Sequence, residues 1–376
     1  MQKNRDAELL LCGIAIACAV WILCSIGLLI LNSAGSGMKN PYSFVSKQIC
    51  YTIVAFIALL ATMFFDLQKL KKLSIPIAVI SIITLILVLI PQVGKEVNGS
   101  RRWLELGIVS VQASDFAKIA LIITLASFLH NNQRQLTTFT TGIVKPIGII
   151  LMFVAFIIVE PDFGTSALCL GVGITMMYLA GCNWKILASS ATFLASLLAV
   201  LLYFNPNRRA RFLAFLNVED TKLEGSYQLY QAILGFGSGG VQGQGIGNGR
   251  QQLAFLPEAH TDFIFAIIGE ELGLIFTVLV VILFAIIFFA GIRALTKANN
   301  RFELYLATGA IFMICYQAMF NMCVVTGLMP TKGISLPFIS YGGSNLVVTF
   351  VLIGIILNCI RCWRKPTKIK AVEFEI

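Results

Sequence analysis

Leu256-Pro257-Glu258-Ala259-His260-Thr261-Asp262 runs directly into Phe263-Ile264-Phe265-Ala266-Ile267-Ile268-Gly269-Glu270-Glu271-Leu272-Gly273. This stretch sets four carboxylates and one of the chain's two histidines at the head of a long apolar run. Ionisable groups at or below a membrane interface are expensive to keep, so they mark candidate functional positions. Asp262 stands at the mouth of the apolar segment, with Glu258 four residues before it and Glu270 eight after. If the stretch is one helix, those spacings put the three acids along one side. The plain alternative is a polar helix cap followed by a buried ion pair.

The surrounding chain explains why charge here is unusual. Of 376 residues 58% are hydrophobic and only 12% charged, against roughly 25% charged in a soluble domain. The chain is therefore a polytopic membrane protein. A spanning helix takes about 20 apolar residues. That length selects Leu9–Asn32, Ile49–Phe65, Ser74–Pro91, Val111–Leu129, Pro146–Val159, Phe163–Ala180, Ile186–Phe204, Phe263–Ile292, Leu304–Met329 and Leu346–Ile360. The predicted fold is an all-α integral membrane protein with about ten transmembrane helices. Residues 1–376 form a single polytopic domain, and one long outward loop, 205–262, lies between spans 7 and 8. Glu160-Pro161-Asp162 splits an apolar run too long for one crossing, and is read as a tight hairpin. The first run is too long for a signal peptide and lacks a small-residue cleavage site, so it is read as a retained span.

Lys/Arg asymmetry orients the bundle. With both termini cytoplasmic, sixteen basic residues fall inside and eleven outside, and Lys118 within a span completes the 28. Five of the eleven sit in the long loop, where the rule does not count, leaving sixteen against six. The net charge of +10 is thus topological, and nucleic acid is not expected as a partner. The C-terminal cluster Arg361–Lys370 fits a topogenic tail, with anionic lipid as a further contact. The ten cysteines lie mostly within apolar runs, with no CxxC pair, so zinc and disulfide frameworks are not expected.

Sequence character gathers on the outward side. Asn98-Gly99-Ser100-Arg101-Arg102-Trp103-Leu104 sets two guanidinium groups beside a tryptophan, suited either to phosphate oxygens or to anchoring at the headgroup level. Lys118 lies about two turns into a span, where a lysine generally faces a polar cavity, with Asp115 at i−3 as a structural partner. Asp162 fits either a helix cap or a second acid facing Asp262 across a cavity, the two able to hold a divalent cation. Gly235–Gly249 is glycine-dense but has neither the spacing nor the strand–helix context of a nucleotide site; it is read as a flexible loop that approaches a ligand closely. Pro330–Ser344 is read as a turn-rich or re-entrant segment, which at membrane depth must line protein or water. Outward cations beside a cavity with an acid at its rim suit a lipid-linked pyrophosphate. The cations would stabilise the departing pyrophosphate, and the acid would deprotonate an attacking hydroxyl.

These residues resemble the SEDS family (FtsW, RodA and SpoVE) across nearly the whole chain. The pieces that carry the resemblance are Leu256–Gly273, Thr326–Ser344, Glu160–Thr165, and Gly99–Leu104 with Gln112–Lys118; Ala259 and Pro330–Gly333 look like the FtsW branch. The resemblance implies a peptidoglycan glycosyltransferase that joins lipid II disaccharides into β-1,4 glycan during cell division, at the outer face of the cytoplasmic membrane and at the septum. It puts the catalytic acid on Asp262 and conserved polar positions on Arg102, Lys118 and Asp162; with Arg101 from the paired guanidinium groups and Glu270 from the spacing to Asp262, these are the candidate substrate-binding residues. No cofactor is certain, and a divalent cation (Mg or Mn) at Asp162 and Asp262 stays open. The implied partners are lipid II, the growing glycan strand, a class B penicillin-binding protein and other divisome membrane proteins. Two departures stand out: Gln112-Ala113-Ser114-Asp115 where the family has Gln-Pro-Ser-Glu, and Asn345 where it has serine. A lipid II flippase and a non-catalytic division scaffold are the alternatives; only the enzyme needs Asp262 at the outer rim.

Overall fold

The computed structural model describes residues 2–35, 41–97, 100–106, 109–204, 206–221, 226–251 and 260–364. Glu258, with the whole Leu256–Ala259 start of the opening stretch, lies outside the described residues, as do Asn98, Gly99 and the basic tail from Lys365.

Helices α1 (Gln2–Gly35), α2 (Pro41–Phe64), the short α3 (Leu67–Lys72) and α4 (Ser74–Leu89) come first. Three strands follow, β1 (Gly94–Val97), β2 (Ser100–Leu106) and β3 (Val109–Gln112), then α5 (Ala113–Asn131). A π turn, Thr140–Val144, leads into α6 (Lys145–Val159), and α7 (Phe163–Leu179) and α8 (Trp184–Tyr203) follow. Beyond them come α9 (Pro206–Leu216), α10 (Tyr227–Gly239), α11 (Ile264–Leu295), α12 (Arg301–Val325) and α13 (Gly343–Arg364). Each apolar run expected to span coincides with a helix, because a chain in hydrocarbon must satisfy its own backbone groups. By length and composition α1, α2, α5, the π turn with α6, α11, α12 and α13 are able to cross a membrane; α4 and α7 are apolar but shorter.

Two expectations change. The all-helical reading gives way between α4 and α5, where β1, β2 and β3 form an antiparallel sheet in that order. Val109-Ser110-Val111-Gln112 and the alternation in Ser100–Leu106 have the period of a strand, which a search for long apolar runs overlooks. The long segment between α8 and α11 is not plain loop, since α9 and α10 lie within it and α10 packs on α11. In the opening stretch residues 260–263 form a turn and α11 starts at Ile264, within a residue of the span expected from Phe263, so the one-helix alternative does not hold.

Among the helices long and apolar enough to span, α5, α12 and α13 are the most buried and α2 the least. α5 packs on α4, α6, α7 and α12, while α13 packs on α2 and α12. Asn358 of α13 donates to the carbonyls of Thr62 and Phe65, satisfying groups left open at the end of α2. Around this centre, large apolar side chains such as Trp21, Ile57, Ile75, Ile275 and Phe289 are exposed on the outer faces of their helices. That is the surface of a multi-pass membrane protein, whose solvent on these faces is lipid.

Candidate active site

The break in α11 organises one end of the bundle. Gly273 has φ 76° and ψ −170°, a conformation that only glycine adopts without strain, and the helical ladder is interrupted there. The glycine-dense segment after α10 fills the gap. Gln244 and Gly245 donate backbone N–H groups to the carbonyls of Glu270 and Glu271, while Leu274 and Ile275 donate to those of Gly240 and Val241. Broken backbone is tolerated at such depth because protein satisfies it. The run expected to be a flexible ligand-approaching loop is therefore the end of α10 followed by a segment pinned into α11.

Glu270 and Glu271 complete the pinning. Glu270 is buried and accepts the backbone N–H of Arg250 at 2.8 Å and of Gln251 at 3.2 and 3.3 Å. Glu271, also buried, accepts from Gly247 N at 3.1 Å and from Ser33 Oγ of α1 at 2.7 Å. Glu270, expected among the substrate-binding residues, is thus engaged by the chain's own backbone.

Asp262 sits in the turn at the head of α11 and is partly exposed. Its carboxylate rests against Gly333: a Cβ there would lie 2.6 Å from Oδ2. The main chain around it is held on both sides. Asn321 Nδ2 donates to the Asp262 carbonyl at 2.7 Å, Ser340 Oγ to that of Thr261 at 2.6 Å, and Tyr341 N to that of His260 at 3.0 Å. Phe44 of α2 stacks on Tyr341 and meets His260 edge-on. The segment between α12 and α13 is thus irregular backbone with tight turns, Ile334 N donating to the Lys332 carbonyl and Ser340 N to that of Leu336, packed against the turn of Asp262, in keeping with the turn-rich reading.

Lys118 lies deep in α5, 3% exposed. Its Nζ is 2.8 Å from Asp115 Oδ1, and donates to Gln317 Oε1 at 3.1 Å and Asn345 Oδ1 at 3.4 Å. An ammonium has three hydrogens, and three protein oxygens take them. Gln317 passes the connection on, donating to Asn345 Oδ1 and to the carbonyl of Ser335, both at 2.9 Å.

At the start of α7, Asp162 is a helix cap and more. Oδ1 accepts from Thr165 N at 3.1 Å, and Oδ2 from Thr165 Oγ1 at 2.8 Å, Ser114 Oγ at 3.3 Å and Gln112 Nε2 at 3.4 Å. Arg102 crosses from β2 to grip the same turn. Its Nε donates to the Glu160 carbonyl at 3.0 Å and its Nη2 to that of Pro161 at 2.9 Å. Successive strand residues point to opposite faces, so Arg101 is directed elsewhere, to an exposed pair with Glu96. The Glu160 side chain is fully buried, and neither carboxyl oxygen has a hydrogen-bond partner. Burial, and then the neighbouring Asp162, push its pKa up to about 8 against the opposing pull of Arg102, so the group is mostly neutral at pH 7.

These pieces meet. Gln112 N donates to Ser344 Oγ, joining the starts of α5 and α13, and Ser114 to Asp162 joins the starts of α5 and α7. Lys332 Nζ lies 5.4 Å over the ring of Phe163, and Ile334 lies against Gly164. Residues 332–334 therefore run between the start of α7 and Asp262. These contacts bring the N-terminal ends of α5, α7, α11 and α13, each the positive end of a helix dipole, together at one end of the bundle. A divalent cation is a poor fit there. Both Asp162 oxygens are already occupied by hydrogen-bond donors, and among the described residues no three His, Cys, Asp or Glu side chains come together. Gln317 and Asn321 were not singled out from the sequence, and Glu160 and Lys332 only as members of their motifs. The available signal was two amides four residues apart within an apolar span, which places them on one helix face.

The fold and site define a polytopic helical membrane protein with a polar, charged cluster at one end of its bundle. The chain belongs to the FtsW/RodA/SpoVE family, described as cell cycle proteins, with residues 14–365 matched. It is 36% identical over 361 residues to a probable peptidoglycan glycosyltransferase FtsW of Geobacter metallireducens, covering 95% of this chain and 94% of that one. It is likewise 36% identical to stage V sporulation protein E of Bacillus subtilis, over 96% of this chain and 98% of that protein. Two solved structures share the fold. One, described as structural coordination of polymerization and crosslinking by a peptidoglycan synthase complex, superposes with TM-score 0.75 at 24% identity over 92% of this chain and 98% of that one. The other, the rod shape determining protein RodA of Thermus thermophilus, gives 0.71 at 23% identity over 93% and 97%.

Proposed function

We propose that this protein is a peptidoglycan polymerase that joins lipid II disaccharides into β-1,4 glycan at the outer face of the cytoplasmic membrane during division. In this reading the chain crosses the membrane ten times as one polytopic unit, with both termini inside and the converging helix starts outside. Lys/Arg asymmetry supports that orientation. One observation carries the assignment: a partly exposed carboxylate, Asp262, held by its own backbone beside a cluster of positive helix ends. Asp262 takes the proton from the 4-hydroxyl of the acceptor GlcNAc. The oxygen attacks the anomeric carbon of the donor, the bond to the α-linked diphosphate breaks, and the lipid diphosphate departs with inversion.

The helix starts and Arg102, which keeps donors beyond the two it gives to carbonyls, stabilise the leaving charge. Lys118 adds its charge from a buried position without touching substrate, and Asp162 and Glu270 hold the frame. A class B penicillin-binding protein is the partner that crosslinks the product, alongside other division proteins. The test is polymerisation of labelled lipid II by purified protein with its cognate transpeptidase, comparing wild type with Asp262→Ala. Loss of glycan strands in a folded, partner-bound variant is expected. Equal product from both would overturn the site, and lipid II movement without polymerisation would favour a transporter.

A further inference from the structure

Asn321 has no part in the chemistry above, yet its amide joins the two backbone segments that meet at Asp262. One nitrogen, with two hydrogens to give, lies 2.7 Å from the carbonyl of Asp262 and 2.6 Å from that of Ile334. The side chain is buried, 1% exposed, on the inner face of α12. Its Oδ1 is buried with no hydrogen-bond partner, so the residue is held there by what its nitrogen does. Gln317, one turn earlier on the same face, ties the carbonyl of Ser335. Residues 334 and 335 are thus fastened to α12 by consecutive side-chain amides. That fixes Gly333, the next residue back, against Asp262 Oδ2.

We infer that Asn321 is a positioning residue for the catalytic carboxylate. It sets the distance between the turn that carries Asp262 and the segment that carries Gly333, and so the direction in which the carboxylate faces the acceptor hydroxyl. This rests on the proposed role of Asp262. Catalysis is sensitive to such geometry, since a misplacement of about 1 Å can cost on the order of 100-fold.

The test compares Asn321→Leu, Gly333→Ala and the double variant, each with the cognate transpeptidase, by kcat and KM for lipid II. Asn321→Leu keeps the volume and loses both donors, whereas Gly333→Ala pushes the same carboxylate from the other side. Each single variant is expected to lower kcat about 10- to 100-fold with KM within about threefold. Because both act on one group, the double variant should fall no more than about threefold below the worse single variant. A merely structural amide would leave kcat unchanged in properly folded protein or give losses that multiply, and either result overturns the inference. If Asn321→Leu does not fold, Asn321→Ser, too short to reach both carbonyls, carries the same expectation and the same refutation. Asp262→Asn run in parallel separates the two readings: if it polymerises normally, the proposed chemistry has failed, whatever Asn321 does.

Discussion

Replacing Lys118 by methionine asks whether the buried ammonium is a structural joint or a substrate contact. Methionine keeps the unbranched shape and most of the volume but removes the charge and all three donors. Asp115 Oδ1 then loses the cation 2.8 Å away, and Gln317 Oε1 loses its donor at 3.1 Å. Asn345 Oδ1 keeps the amide of Gln317, so the damage falls mainly on Asp115, 4% exposed. Removing one member of a buried pair costs about 3–5 kcal/mol, and an orphaned amide oxygen adds about 1–3 kcal/mol. The expected loss is about 4 kcal/mol or more, a large share of a total stability of roughly 5–15 kcal/mol. Lys118→Met with Asp115→Leu removes both charges and should recover to within about 2 kcal/mol of wild type. The assay is denaturant unfolding in detergent, with lipid II polymerisation measured on the same samples. A single variant that unfolds like wild type but shows a raised KM would refute the joint and make Lys118 a substrate contact.

Other outcomes follow from the same geometry. Folding leaves Glu160 protonated between its ordinary value of 4.5 and about 8, so the folded state binds the extra proton. Its contribution to stability is fully present below the lower value and is lost as pH rises through the upper. Melting temperatures should fall as pH rises from about 5 to about 8 and level off above that, and Glu160→Gln should flatten the decline. Glu270→Leu frees the N–H groups of Arg250 and Gln251. It should cost about 2 kcal/mol and speed proteolysis in the segment after Gly239, read by mass spectrometry. Gly273→Ala puts a Cβ 2.4 Å from Gly243 N at a φ of 76°. A loss of about 1–3 kcal/mol, seen as a lower melting temperature, is expected.

The helices were legible because their cause is local. Runs such as Leu9–Asn32 and Phe263–Ile292 are too apolar for water and too long for anything but a helix in lipid. The hairpin at Glu160-Pro161-Asp162 and the pairing of Asp115 with Lys118 were legible for the same reason, since the first needs a short polar break and the second a spacing of three. The sheet was missed because its strands are short and polar. The glycine-dense segment was misread because glycine composition is the same in a free loop and in one pinned to a broken helix.

Local chemistry was therefore enough to establish a polytopic helical bundle, the residues that break it, and a short roster of charged groups too costly to be idle. Packing alone decided what each charge does. Gln112 meets Ser344, 232 residues away, and Lys118 meets Gln317, 199 away; no spacing rule reaches that far. Arg102 and Arg101 are adjacent and chemically identical, yet the pleat sends one to the α7 turn and the other to Glu96. Burial turns Glu160 into a neutral acid and makes Asn321 a brace, because the energy of a polar group depends on which partners and how much solvent surround it. Those surroundings exist only once the helices have assembled.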